Sequence, residues 1–179
     1  MIEQKYLDLL RELSTDEKSH SDDRSLFEHL KGTHELLEKW DNPKDVCIGG
    51  LFHSIYGTQY YKVQSAELAD RKHIAEVIGS SAEELAYLFC TTDRVGFFSE
   101  ADKTNPVLVD TTTKKSVPVS TATLDALIEI EVANFIEQFR PATASAKLIE
   151  FMNYMLSAGS HHMTRKAREE LARVLEQFD

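Results

Sequence analysis

Long apolar runs are missing from this chain. Nothing in it approaches the ~18 uninterrupted apolar residues that a membrane-spanning helix requires, so no membrane partner is expected. Cysteine is scarce: Cys47 and Cys90 are the two present, each set in apolar sequence, which argues against a disulfide-stapled secreted fold. Met1–Leu10 carries Glu3, Lys5 and Asp8 where a secretory signal would be apolar, so the expected compartment is the cytoplasm. Basic residues are outnumbered, 20 Lys and Arg against 30 Asp and Glu, for a net charge of −10. That balance argues against general affinity for nucleic acid, and the pairs Lys114-Lys115 and Arg165-Lys166 are too small to reverse it. Internal repeats and low-complexity tracts are absent as well. One domain is expected over residues 1–179, and a chain of that length buries roughly 70% of its unfolded surface, enough for a core without metals or disulfides.

What is present is helical periodicity. Apolar spacing predicts helices over about 2–13, 25–40, 44–57, 66–78, 81–93, 121–139, 141–157 and 163–178, with a polar loop over 14–23. Asn42-Pro43 is expected to cap and start the third segment, and Ser81–Glu84 has capping-box spacing. Two short β-branched runs, Val107–Asp110 and Ser116–Val119, predict a small hairpin, with 95–106 irregular. The fold class is therefore all-α with a β-hairpin insertion, its core at about 25–139 and C-terminal helices over 141–179.

Several polar residues fall on core-facing surfaces. In the 25–40 segment His29 and His34 flank opposite edges of one apolar stripe, so they are not expected to serve one site. The 44–57 segment is apolar almost all round, and Gly49 and Gly50 share a side with His53, which implies close approach of another helix. Asp93 ends an inner face at a helix C-terminus, where a carboxylate opposes the dipole and needs a specific partner. Glu131 and Gln138 lie within the inner arc of the 121–139 segment and Asn134 at its edge. Buried carboxylates are rare unless paired or metal-bound. Plainer readings stand beside these. His29 is expected to be a hydrogen-bonded core residue, Asp93 pairs with Arg94 or caps a turn, and Glu131 pairs with a buried arginine. His161-His162 reads first as a surface pair.

A histidine in the first core helix, then Gly50-Leu51-Phe52-His53-Ser54-Ile55-Tyr56-Gly57, then Glu131-Val132-Ala133-Asn134 on a later helix resembles the HD metal-dependent superfamily. The resemblance covers about residues 25–139. It implies an all-α fold holding divalent metal through His…His-Asp…Asp, with phosphohydrolases and di-iron oxygenases among its members. His34 would match the first histidine. The His53-Ser54 pair looks like the family's "LLHDIG" segment with serine for aspartate, and Asn134 stands where its last aspartate would be. The GLFHSIYGT run also looks like a small uncharacterised HD-related family.

Serine and asparagine supply neutral oxygens in place of two carboxylates, which weakens a site for a hard cation. The expected metal ligands are His34 and His53 together with Asp93, which is offered by its position on the inner face and not by a family match; the set suits iron, manganese or zinc, with Glu131 as general base. Ser54, Tyr56 and Asn134 would contact a small polar ligand. Three functions compete on this reading: a mononuclear metal-dependent hydrolase or oxygenase, a non-catalytic small-ligand-binding module, and a structural protein whose polar groups satisfy one another.

Overall fold

The computed structural model describes residues 1–19 and 24–178; residues 20–23 of the expected polar loop lie outside the described residues. Its α-helices are α1 (Gln4–Glu12), α2 (Leu26–Lys39), α3 (Lys44–Leu51), α4 (Arg71–Ile78), α5 (Ser80–Thr91), α6 (Arg94–Ser99), α7 (Thr121–Gln138), α8 (Ala146–Gly159) and α9 (Arg165–Leu175). Strands β1 (Val107–Val109) and β2 (Ser116–Pro118) form an antiparallel hairpin with Leu108 opposite Val117. Among the described residues the fold is mostly helical with one small two-stranded sheet, as the periodicity and the β-branched runs predict. Among the described residues no helix is long and apolar enough to cross a membrane.

Local chemistry explains where the elements start. Ser25 and Glu28 form a reciprocal capping box at α2, and Ser120, Ser145 and Thr164 each accept a backbone N–H at the start of α7, α8 and α9. Other expected starts move. Pro43 takes the N-cap position of α3, while Asn42 Nδ2 instead donates to Glu129 Oε2 at 2.9 Å. Ser81 makes no capping box with Glu84, because α5 begins at Ser80 behind Gly79, whose φ of +92° suits glycine. Residues 95–106 are not wholly irregular: Asp93 caps the short α6. Helix α3 stops at Leu51, six residues before Gly57, and tight turns carry the chain through His53 and Ser54.

Two apolar clusters meet across shared helices. One joins α1, α3, α4 and the first part of α2 around Leu30, Phe52 and Ile74. The other joins α6, α7, α8 and α9 to the end of α2 around Trp40, Phe97 and Leu127. Helix α5 serves both, with Ala86 in the first and Phe89 in the second. The approach of α3 is close: a Cβ on Gly50 would stand 2.2 Å from Leu37 Cδ1, and one on Gly49 would stand 3.0 Å from Leu85 Cβ. These glycines cost roughly 1 kcal/mol each in helix propensity and let α2 and α5 press against α3. The result places His53 fully inside, between α2, α5 and α7.

Candidate functional site: a buried histidine pair beside an aromatic cleft

His53 sits where α3 ends, and its ring replaces a helical hydrogen bond. Nδ1 lies 2.6 Å from the Gly50 carbonyl, which can only accept, so the ring proton is on Nδ1 and Nε2 carries a lone pair. Burial, with His29 next in effect, drives the His53 pKa well below the ordinary histidine value, so the ring is neutral at pH 7. Its Nε2 faces His29 Nε2 at 3.1 Å and Asn134 Oδ1 at 3.2 Å. Cys90 Sγ donates to the His53 carbonyl at 3.0 Å and Phe89 packs edge-on against the ring.

The partner histidine is His29. Its Nδ1 is 2.5 Å from Glu137 Oε2, and Arg24 pairs with the other oxygen of the same carboxylate. Burial acts to raise Glu137, and its bonds to His29 and Arg24 outweigh that and hold it below the usual carboxylate range. Glu137 owes its place to Gly32, where a Cβ would meet the Glu137 side chain at 2.7 Å. Asn134 Oδ1 also accepts from Gln138 Nε2 at 2.8 Å, and Asn134 Nδ2 donates to Glu131 Oε2 at 3.2 Å. That oxygen accepts from Arg94 as well, at 3.0 Å. Burial raises the Glu131 pKa, and Arg94 opposes the rise. The chain of contacts thus runs Arg24–Glu137–His29–His53–Asn134–Glu131–Arg94.

Three electron-rich atoms converge in the middle of this chain: Asn134 Oδ1, the lone pair of His53 Nε2, and His29 Nε2 opposite it. Lone pairs so close repel unless a hydrogen or a cation lies between them. Two fillings satisfy the geometry. A proton on His29 Nε2 makes a hydrogen bond to His53, or a metal ion binds both imidazoles. The second has the support that metal-binding histidines ordinarily have, because each Nδ1 is fixed by an acceptor, Glu137 for His29 and Gly50 for His53. The donor set fits less well. It brings no negative charge, and among the described residues no three His, Cys, Asp or Glu are grouped to hold an ion.

The expected ligand set His34, His53 and Asp93 does not come together. His34 follows His29 by five residues, about 140° around the helix, so when His29 faces α3 and α7 His34 must face elsewhere. It lines a separate recess of about 320 Å³ with Glu38, Asn42 and Cys47. There its buried Nδ1 has no hydrogen-bond partner, and burial lowers its pKa. Asp93 is half-buried and accepts from the Val95 N–H at 3.2 Å. The chain turns at Thr92, so the carboxylate sits at the favourable start of α6 and not at the unfavourable end of α5. Glu131 has the plainer partner, a buried arginine. Tyr56 is not a ligand-facing group either: its hydroxyl donates to Glu83 Oε1 at 2.9 Å, and Arg71 grips that carboxylate through Nε and Nη2. Ser54 is buried in the turn after α3, next to His53 in sequence. Burial pushes the Cys47 thiol up to about 11 and the Cys90 thiol up to about 12, so neither is a nucleophile at neutral pH. His162 pairs with Asp125, at 2.7 Å.

The polar chain opens at one end. Arg94, Glu131, Asn134 and Gln138 form the floor of a cleft of about 700 Å³ whose walls include Phe135, Phe139, Leu148 and Phe151. A cavity of that size and mix of surfaces is typical of small-molecule sites.

Residues 9–94 match the family model of a domain of unknown function, DUF6817. The chain is similar to that family over just under half its length. The matched segment holds both histidines and ends at Arg94, ahead of the α7 residues that complete the cluster. No curated protein and no solved structure matches the chain.

Proposed function

We propose that this chain is a non-catalytic small-molecule-binding protein on an HD-like helical scaffold, with its ligand in the cleft between α7 and α8. The observation that carries this reading is the cleft itself, with aromatic walls over a floor of buried, convergent polar groups. The resemblance of the sequence to the HD superfamily supports it in modified form. His29 now stands for the first histidine, His53-Ser54 for the His-Asp pair, and Asn134 for the last aspartate. With Ser54 and Asn134 neutral, Glu131 tied to Arg94, and Glu137 tied to Arg24 and His29, no carboxylate of this cluster is left free among the described residues to hold the ions of hydrolytic two-metal chemistry. In ligand-observed NMR with a mixture of aromatic fragments, hits should compete with one another. They should also shift the amide resonances of Asn134, Gln138 and Phe151. Hits scattered over the surface with no common site would sink the proposal.

A second reading has its own observation, the outward locking of both Nδ1 atoms. Here His29, His53 and Asn134 hold one borderline transition metal such as iron or zinc, which would supply a Lewis acid beside the cleft, while Glu137 orients His29. Asn134→Asp places a carboxylate 3.2 Å from His53 Nε2. On this reading it should raise Zn²⁺ affinity tenfold or more, about 1.4 kcal/mol, and His29→Ala should abolish binding. Isothermal titration of tag-free protein measures both. No heat in wild type and no gain in Asn134→Asp would leave the proton-bridged pair.

A further inference from the structure

We infer that the cleft ligand carries an anionic head on an apolar, aromatic body, and that Arg94 and Lys147 bind that head. The inference rests on the cleft reading above and adds to it the charge class of the ligand. Three observations support it. The chain as a whole carries −10, yet among the described residues this cleft is lined by Arg94 and the exposed Lys147 beside one carboxylate, Glu131, which is already bonded to Arg94. An excess of cations in one concave place on an acidic protein concentrates anions there. Arg94 is only 8% exposed, and its Nε is buried without an acceptor although Nη1 is bonded to Glu131. A buried guanidinium N–H left unpaired is costly, and an anionic oxygen is the partner its geometry prefers. The Tyr60 ring lies over this guanidinium, 4.5 Å from it, and is itself 64% exposed. An aromatic ligand can displace that ring and still stack on the cation.

The apolar walls fix the other half of the ligand. Phe135 and Phe151 pack against each other as one wall, tilted by 53° with centroids 5.7 Å apart, and Leu148 and Phe139 line the same space. A bare inorganic anion leaves these walls wet, whereas an aryl or arylalkyl group fills them.

The test uses three probes on the full chain: 4-phenylbutyrate, phenyl phosphate and the neutral 4-phenylbutan-1-ol, with affinity measured by NMR titration. At least one anion should bind tenfold or more tightly than the alcohol, and the tighter of the two identifies a carboxylate or a phosphate head. Lys147 is exposed, so Lys147→Glu should fold normally and reduce the anion preference at least threefold. Arg94→Leu alone strands Glu131, so the second variant is Arg94→Leu with Glu131→Leu, in which the preference for the anions over the alcohol should fall at least threefold. An alcohol that matches both anions in wild type overturns the anion inference and leaves the cleft reading standing. Binding of none of the three overturns both. An anion preference that survives both variants shows that Arg94 and Lys147 do not supply it, and overturns the assignment.

Discussion

Arg94→Leu should cost about 3–5 kcal/mol of stability, the usual penalty for removing one member of a buried ion pair. Arg94 and Glu131 are 8% and 3% exposed and meet at 3.0 Å. Without the guanidinium, Glu131 keeps Asn134 Nδ2 as a donor and has no opposite charge to offset its burial. In a protein of this size each kcal/mol shifts Tm by roughly 2–4 °C, so the fall should be about 6–20 °C. Arg94→Leu combined with Glu131→Leu should recover most of the loss, because an apolar pair of similar volume carries no desolvation cost. Urea unfolding of the wild type, both single variants and the double variant measures the coupling. If Arg94→Leu lies within 1 kcal/mol of wild type, the pair is not the buried anchor of the cleft floor.

Acidification below neutrality should destabilise the fold through its buried histidines. His53 and His34 both have native pKa values lowered by burial, His53 well below 6.5. Their contribution is complete above the unfolded histidine pKa of about 6.5 and is lost as pH falls, because the unfolded chain then binds protons that the native state refuses. Between pH 7.5 and 5.5 each such histidine contributes up to about 1.4 kcal/mol, so the fall should be about 1–3 kcal/mol. Glu131 works in the opposite sense, since its raised native pKa favours protonation in the fold and so offsets part of the loss on acidification. Glu137, held low, adds its own loss only below the ordinary carboxylate range near pH 4.5. Urea unfolding at pH 7.5, 6.5 and 5.5 gives the slope. Stability that is flat or rising between pH 7.5 and 5.5 would show that His53 is not a buried neutral base.

The sequence by itself determined the helical class, the small hairpin and most helix positions, because apolar period, caps and β-branched runs are local properties. It also determined which faces turn inward: Glu131 and Asn134 were legible on the inner face of α7, and the glycines of α3 announced the tight crossing around His53. It did not determine which of two histidines meets His53. His29 and His34 sit on opposite edges of one apolar stripe, and periodicity treats those edges alike. The way α2 lies between α3 and α7 chose His29. Glu137 and Arg24 were missed for a related reason. They lie 108 and 113 residues apart from their partners in the chain, and only the gap left by the absent Cβ of Gly32 brings the carboxylate to His29. Asp93 changed role through a single bend at Thr92, which put its carboxylate at the start of a helix and not at the end of one. Tyr56 was taken by Glu83, itself held by Arg71 from a neighbouring helix. A helical face is written in spacing along one segment. A site is written in the distances between segments, and these follow from packing, which depends on all the side chains at once.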